Sequence, residues 1–219
     1  MCHLKCLKAG SFFFLFLFLS LSTSAQPDCE LQTVKDGIKV YSCKRENSDF
    51  NAVRAGFEAE TTLAQYASIV LNVAEYQYWN YAASNPYVIR KINQEELIHY
   101  TEAKALWTIM DRFVVLHLSV KKDPKTGHLM VKLENVPDIL PEKKGFVRIK
   151  EYYSVLEVIP IGPEKVKVKY FLEVDPGGAV PAWVTNLVSS NFPINTFSNL
   201  RERLKYLNKD QVTDGSIPQ

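Results

Sequence analysis

From Lys165 to Val174 the chain alternates, with Val166, Val168, Tyr170, Leu172 and Val174 on one parity and Lys165, Lys167, Lys169 and Glu173 on the other. A period of two marks a strand with one face in water and the other against a core. Weaker versions of the pattern precede it over about 87–94, 97–104, 112–121, 128–135 and 145–159. Turn-forming stretches such as Lys122-Asp123-Pro124-Lys125-Thr126-Gly127 and Ile161-Gly162-Pro163 separate them. Consecutive strands on short turns predict a large antiparallel sheet. A sheet that is wet on one face must be covered on the other, and helices are the available cover.

Those helices are legible. After Asp175-Pro176-Gly177-Gly178, a stripe of Val184, Leu187, Val188, Ile194, Phe197, Leu200 and Leu204 predicts a long helix over about 180–207. Pro181 sits where a first-turn proline is tolerated, whereas Pro193 lies inside the pattern and predicts a kink or short break. Upstream, Thr62-x-x-Gln65 is a capping box, and Leu63, Tyr66, Ala67, Val70 and Ala74 follow at helical spacing. A short aromatic helix or turn is expected around 75–81, ending before Asn85-Pro86. Residues 51–59 alternate as a further strand. The polar stretch 209–219 is expected to be disordered.

Residues 1–25 read as a signal peptide. Lys5 and Lys8 give a basic start, 12–21 form an apolar run, and Thr23-Ser24-Ala25 offers small residues for cleavage. The run is about ten residues, short of the roughly 20 that span a bilayer as a helix. Export to a periplasmic or extracellular compartment is the expectation, with one domain over 26–208. The whole chain carries 26 Lys and Arg against 24 Asp and Glu. Losing Lys5 and Lys8 leaves the mature chain neutral, so bulk charge argues against nucleic acid as a partner.

Cys29 and Cys43 remain after cleavage, and an oxidising compartment favours their pairing. Residues 31–34 and 38–41 read as two strands around a three-residue loop at 35–37, a register that sets Cys29 opposite Cys43. With no CxxC spacing, this disulfide is expected to be structural.

Several stretches, in order, resemble the START lipid-transfer family. They are Asp36-Gly37-Ile38-Lys39-Val40-Tyr41, Trp79-Asn80, Asp111-Arg112-Phe113-Val114, Gly145-Phe146-Val147-Arg148-Ile149, and Asp175-Pro176-Gly177-Gly178-Ala179-Val180-Pro181-Ala182-Trp183 running on to Asn199-Leu200-Arg201. The resemblance implies an α+β, helix-grip (START-like) fold, in which a curved antiparallel sheet wraps around a long C-terminal helix and encloses a cavity. It implies a lipid or other apolar small molecule as ligand, transient contact with a membrane surface, and no cofactor or metal. One departure stands out: relatives flank a tryptophan with prolines, and here Ala105-Leu106-Trp107-Thr108-Ile109-Met110 keeps the aromatic without them.

For the cavity, Trp183, Leu187, Ile194 and Phe197 are expected from the helix and Phe113, Val115, Tyr152 and Tyr170 from the sheet. Core packing is the plain alternative for each. His117 shares the parity of Phe113 and Val115 and, with Glu102, is a candidate for orienting a headgroup. Arg148 reads equally as an ion-pair partner. Leu106, Trp107, Ile109 and Met110 are expected to gate the cavity, to touch a membrane or simply to pack on the helix. A polyketide aromatase/cyclase-like enzyme on the same fold is the alternative function, with His117, Glu102 and Tyr170 as its acid and base candidates. A pure interaction module with a filled core is the third. His99, His117 and His128 form no HExxH, and no G-x-S-x-G elbow or phosphate-cradling loop is present. Oligomeric state is not legible.

Overall fold

A computed structural model describes residues 28–103, 110–180 and 191–206. The strands are β1 (Cys29–Lys35), β2 (Ile38–Arg45), β3 (Ser48–Glu60), β4 (Ala83–Lys91), β5 (Glu96–Ala103), β6 (Asp111–Lys122), β7 (Leu129–Asn135), β8 (Phe146–Arg148), β9 (Glu151–Gly162) and β10 (Lys165–Asp175). The helices are α1 (Leu63–Leu71), α2 (Tyr76–Trp79) and α3 (Asn191–Lys205), with a 3-10 turn at Val73–Glu75 before α2. Nine strands run in the order β1-β2-β3-β10-β9-β7-β6-β5-β4, while β8 pairs with β6 alone. The sheet is open, antiparallel except at β8, and covered on one face by the helices.

The alternation read in β10 sets that asymmetry. Val166, Val168, Tyr170 and Leu172 are buried on the helix-facing side, and Lys165, Lys167 and Lys169 are exposed on the outer side. Phe197 of α3 stacks on Phe57 of β3 at 4.4 Å and meets the Tyr170 edge at 5.1 Å. Leu200 beneath them is fully buried. Burying an aromatic or leucine side chain contributes about 1.5–3 kcal/mol, so these residues anchor the helix to the sheet. α1 begins at the capping box, with Gln65 N–H donating to the Thr62 hydroxyl at 3.1 Å and Thr62 N–H donating to Gln65 Oε1 at 3.1 Å.

α3 is fastened near its C-terminal end. The Arg201 guanidinium donates to the Asp36 carbonyl at 2.7 Å, and Arg203 donates to Glu75 Oε2 at 2.6 Å. Pro193 stands two residues inside the start of the described helix. Any bend that it causes upstream falls on 181–190, outside the described residues, as do Trp183 and Leu187.

Three expectations change. The first hairpin has the two-residue turn Asp36-Gly37, both at positive φ (51° and 76°), rather than a three-residue loop. That turn alone would misalign the cysteines by one position. A register shift between Leu31 and Thr33 restores it, so Cys29 pairs with Cys43 and the disulfide forms. Second, the aromatic helix ends before Asn85-Pro86 as expected, but the strand expected from about 87 begins at Ala83, so Asn85-Pro86 lies in a bulge inside β4, between the pairs made by Ser84 and Tyr87, where an edge strand tolerates proline. Third, 145–159 is two strands. β7 pairs with β6 only from Leu116 onward, and β8 fills the earlier part of β6 by pairing parallel to Asp111, Arg112 and Phe113.

Candidate functional site

The helix-facing side of the sheet, α1, α2 and α3 enclose an inner cavity of about 50 Å3. Val131, Leu133, Tyr152, Ser154, Leu156 and Tyr170 form its sheet wall; Tyr66, Val70, Tyr76, Trp79 and Asn80 form a second wall; Phe192, Thr196, Phe197 and Leu200 form the third. The pleat brings Tyr152, Ser154 and Leu156 to one face of β9, and their neighbour across the ladder is Tyr170 of β10. Tyr76 and Trp79, one turn apart on α2, meet edge to face at 4.8 Å.

The polar groups here are uncharged. The Tyr76 hydroxyl donates to the Val70 carbonyl at 2.6 Å, and the Tyr152 hydroxyl is hydrogen-bonded with Tyr170 and Ser154. Tyr66 Oη, Trp79 Nε1 and Asn80 Oδ1 are buried and have no partner. Burial raises the phenols of Tyr66, Tyr76, Tyr152 and Tyr170 above the usual tyrosine range, because a phenolate there would lose its hydration. All four remain neutral donors at any physiological pH.

Of the residues expected at the cavity, Tyr152, Tyr170 and Phe197 line it. Ile194 is buried in the surrounding core. Phe113, Val115, His117 and Glu102 stand instead on the opposite, outer face of the sheet, which corrects the expectation that they point inward. Phe113 and Val115 belong to a separate small cluster with Ile98 and Tyr100, closed over by Val136, Ile139, Leu140 and Phe146. Residues facing one another across β5 and β6 share a side, and the pairs Glu102–Phe113, Tyr100–Val115 and Ile98–His117 place all of them there. The helix-facing residues of β6 are Val114, Leu116, Leu118 and Val120.

The outer cluster is fully engaged. Glu102 accepts from Asn85 Nδ2 at 2.6 Å, from the Tyr100 hydroxyl at 2.8 Å and from Lys143. Burial pushes its carboxyl up, but the three donors outweigh burial and hold it below the ordinary carboxylate range. Arg148 lies 4.7 Å over the Phe113 ring and donates to Glu142 at 2.9 Å. His117 reaches Glu96 at 3.3 Å. His117 and Glu102 therefore do not converge with Tyr170, and the acid–base trio is not assembled. Of the gating residues, Leu106, Trp107 and Ile109 lie outside the described residues, while Met110 is exposed and its carbonyl accepts from Arg112.

Sequence reasoning missed Tyr66, Tyr76, Trp79, Asn80 and Ser154. The signal existed in the aromatic run of α2: Tyr76 and Trp79 share a face and are buried, whereas Tyr78 and Tyr81 are exposed. His99, on the helix-facing side of β5, is fully buried against the Tyr76 ring at 5.4 Å, and neither ring nitrogen has a partner. Burial pulls its pKa down to about 4. Among the described residues no group of three or more His, Cys, Asp or Glu is placed to hold a metal ion, and no helix is long and apolar enough to cross a membrane. The open surface groove of about 900 Å3 beside Lys39, Arg54, Lys167 and Lys169 is charged and solvent-facing, unlike the inner cavity.

The START domain matches residues 21–210 of the chain. An uncharacterised protein of Pseudomonas aeruginosa is 26% identical over 174 residues, 80% of this chain and 85% of that protein. The phosphatidylcholine transfer protein of Bos taurus is 24% identical over 166 residues, covering 74% of this chain and 77% of its own. Among solved structures, a STAR-related lipid transfer protein from Xanthomonas axonopodis superposes with a TM-score of 0.75 at 26% identity, over 81% of this chain and 98% of that one.

Proposed function

Because the chain belongs to the START domain family, we propose that it binds a lipid or other hydrophobic small molecule beneath α3 and carries it in the compartment to which residues 1–25 export it. The observation that carries this reading is the inner cavity itself: an apolar-walled space with a few convergent polar atoms, two of them on side chains with at most 7% exposure. Removing ligand surface from water supplies the driving force, at about 25 cal/mol per Å2 of apolar area. No catalytic group is required.

The space between the described residues, about 50 Å3, is far below the roughly 300–1,000 Å3 of small-molecule pockets. A sterol- or acyl-sized ligand therefore needs more room than the described residues outline. The cyclase-like reading is disfavoured, since His117 and Glu102 lie across the sheet from Tyr170.

Organic extraction of the freshly exported protein, followed by mass spectrometry, tests the proposal. A stoichiometric apolar metabolite is the expected result. Protein that yields none, and takes none from vesicles, overturns it.

A further inference from the structure

We propose that the inner cavity selects a lipid whose polar group is uncharged, a hydroxyl or carbonyl, over one with a zwitterionic or anionic headgroup. This rests on the reading that a lipid enters beneath α3, and it names the class.

Three atoms carry it. Tyr66 Oη and Trp79 Nε1 are donors, Asn80 Oδ1 is an acceptor, and all three are buried at the cavity without a partner. Tyr66 is 0% exposed and Trp79 7%. Buried polar groups in folded proteins are nearly always paired, so three orphans on side chains that line one small space mark a place where an incoming group completes the set. A hydroxyl fits both roles, donating to Asn80 Oδ1 while accepting from Trp79 or Tyr66. A carbonyl accepts from the two donors.

The described surroundings of these atoms disfavour charge. No ionisable acid or base is among the described residues lining the cavity; its polar members are tyrosines, Trp79, Asn80, Ser154 and Thr196. A phosphate brought here would lose its water with no cation among the described lining residues to receive it. A quaternary ammonium needs open aromatic faces. Here Tyr76 and Trp79 are packed on each other, and Tyr170 and Phe57 on Phe197. Glu102, the one acid expected at the site, is occupied on the other side of the sheet by Lys143, Asn85 and Tyr100.

The test is a competition. The exported protein is incubated with dioleoylphosphatidylcholine vesicles containing minor amounts of dioleoylglycerol and cholesterol, re-isolated and extracted for mass spectrometry. Enrichment of dioleoylglycerol or cholesterol over phosphatidylcholine is expected. Tyr66→Phe, which removes one oxygen, should lower capture of the enriched lipid about 10-fold, the equivalent of one hydrogen bond to a buried group. Preferential recovery of phosphatidylcholine, or undiminished capture by a folded Tyr66→Phe, overturns the inference and leaves lipid binding intact. Recovery of no lipid at all overturns both. The wild-type competition needs no variant, so it decides even if Tyr66→Phe does not fold.

Discussion

The sheet carries an aromatic cluster on each face, and the two differ in how their polar atoms are met. On the outer side, Tyr100, Phe113 and Phe146 pack around Glu102, whose oxygens take donors from Asn85, Tyr100 and Lys143, while Arg148 caps the Phe113 ring. On the helix-facing side, Tyr66, Trp79 and Asn80 present polar atoms that nothing in the described protein meets. Aromatic residues alone do not distinguish a core from a site. A cluster whose hydrogen bonds close among themselves stabilises the fold, while one whose bonds stay open has a stability cost and a capacity to receive something.

That contrast can be attacked from either side. The largest effect is expected from Phe113→Ala, which should destabilise by about 3–5 kcal/mol by leaving a void in the outer cluster. Lipid selection by the protein that remains folded should not change; altered selection in a chemical-denaturation-matched assay would place the outer cluster in the site. Next comes His99. Its folded pKa of about 4 lies below the ordinary histidine value near 6.5. As pH falls through about 6.5 the unfolded chain takes up the proton first, so stability declines down to pH about 4 and then levels. The loss is on the order of 3 kcal/mol, and His99→Phe should flatten that slope in urea melts. A slope identical to wild type would show that other groups govern the acid limb.

Tyr66→Phe should act oppositely on stability and capture. Deleting an unsatisfied buried hydroxyl is expected to raise ligand-free stability by about 1 kcal/mol while lipid uptake falls. A destabilised variant would mean that the hydroxyl has a protein partner after all. Smallest is Glu102→Gln, expected to cost about 1 kcal/mol because Lys143 stays solvated when it loses the carboxylate. The Glu102 carboxyl is held below its ordinary range. Its contribution is therefore present above the unfolded pKa and disappears as pH falls through the folded one, so the wild-type and variant melts should converge in acid.

How much of this could be read in the residues differs between strands. β10 is polar on one parity and apolar on the other, and its helix-facing side was plain. β6 was not, because Phe113, Val114, Val115 and Leu116 are all buried. The cause is remote: residues 136–146 fold over the outer face there, and no local pattern announces a second cover. The later half of the same strand did hold the answer, since His117, Ser119 and Lys121 alternate with Leu118 and Val120. The hairpin is similar. Its disulfide was legible from spacing, whereas the compensation between a shorter turn and a bulge near Gln32 was not. Tyr66 read as one apolar position in a helical stripe, and only packing distinguishes a phenol that reaches a partner from one that does not.

The two arginine attachments of α3 bear on how firmly one wall of the cavity is held. Arg201 and Arg203 tie the late turns of the helix to Asp36 and Glu75, while Phe192 and Thr196, on its early turns, face the cavity. Thr196 is itself held, accepting from the Tyr81 N–H at 3.2 Å, and Phe197 stacks on Phe57 at 4.4 Å, so the described part of the helix is fastened along its length. Shifting that wall then means breaking bonds at Thr196, Arg201 and Arg203 together, rather than moving a loose segment.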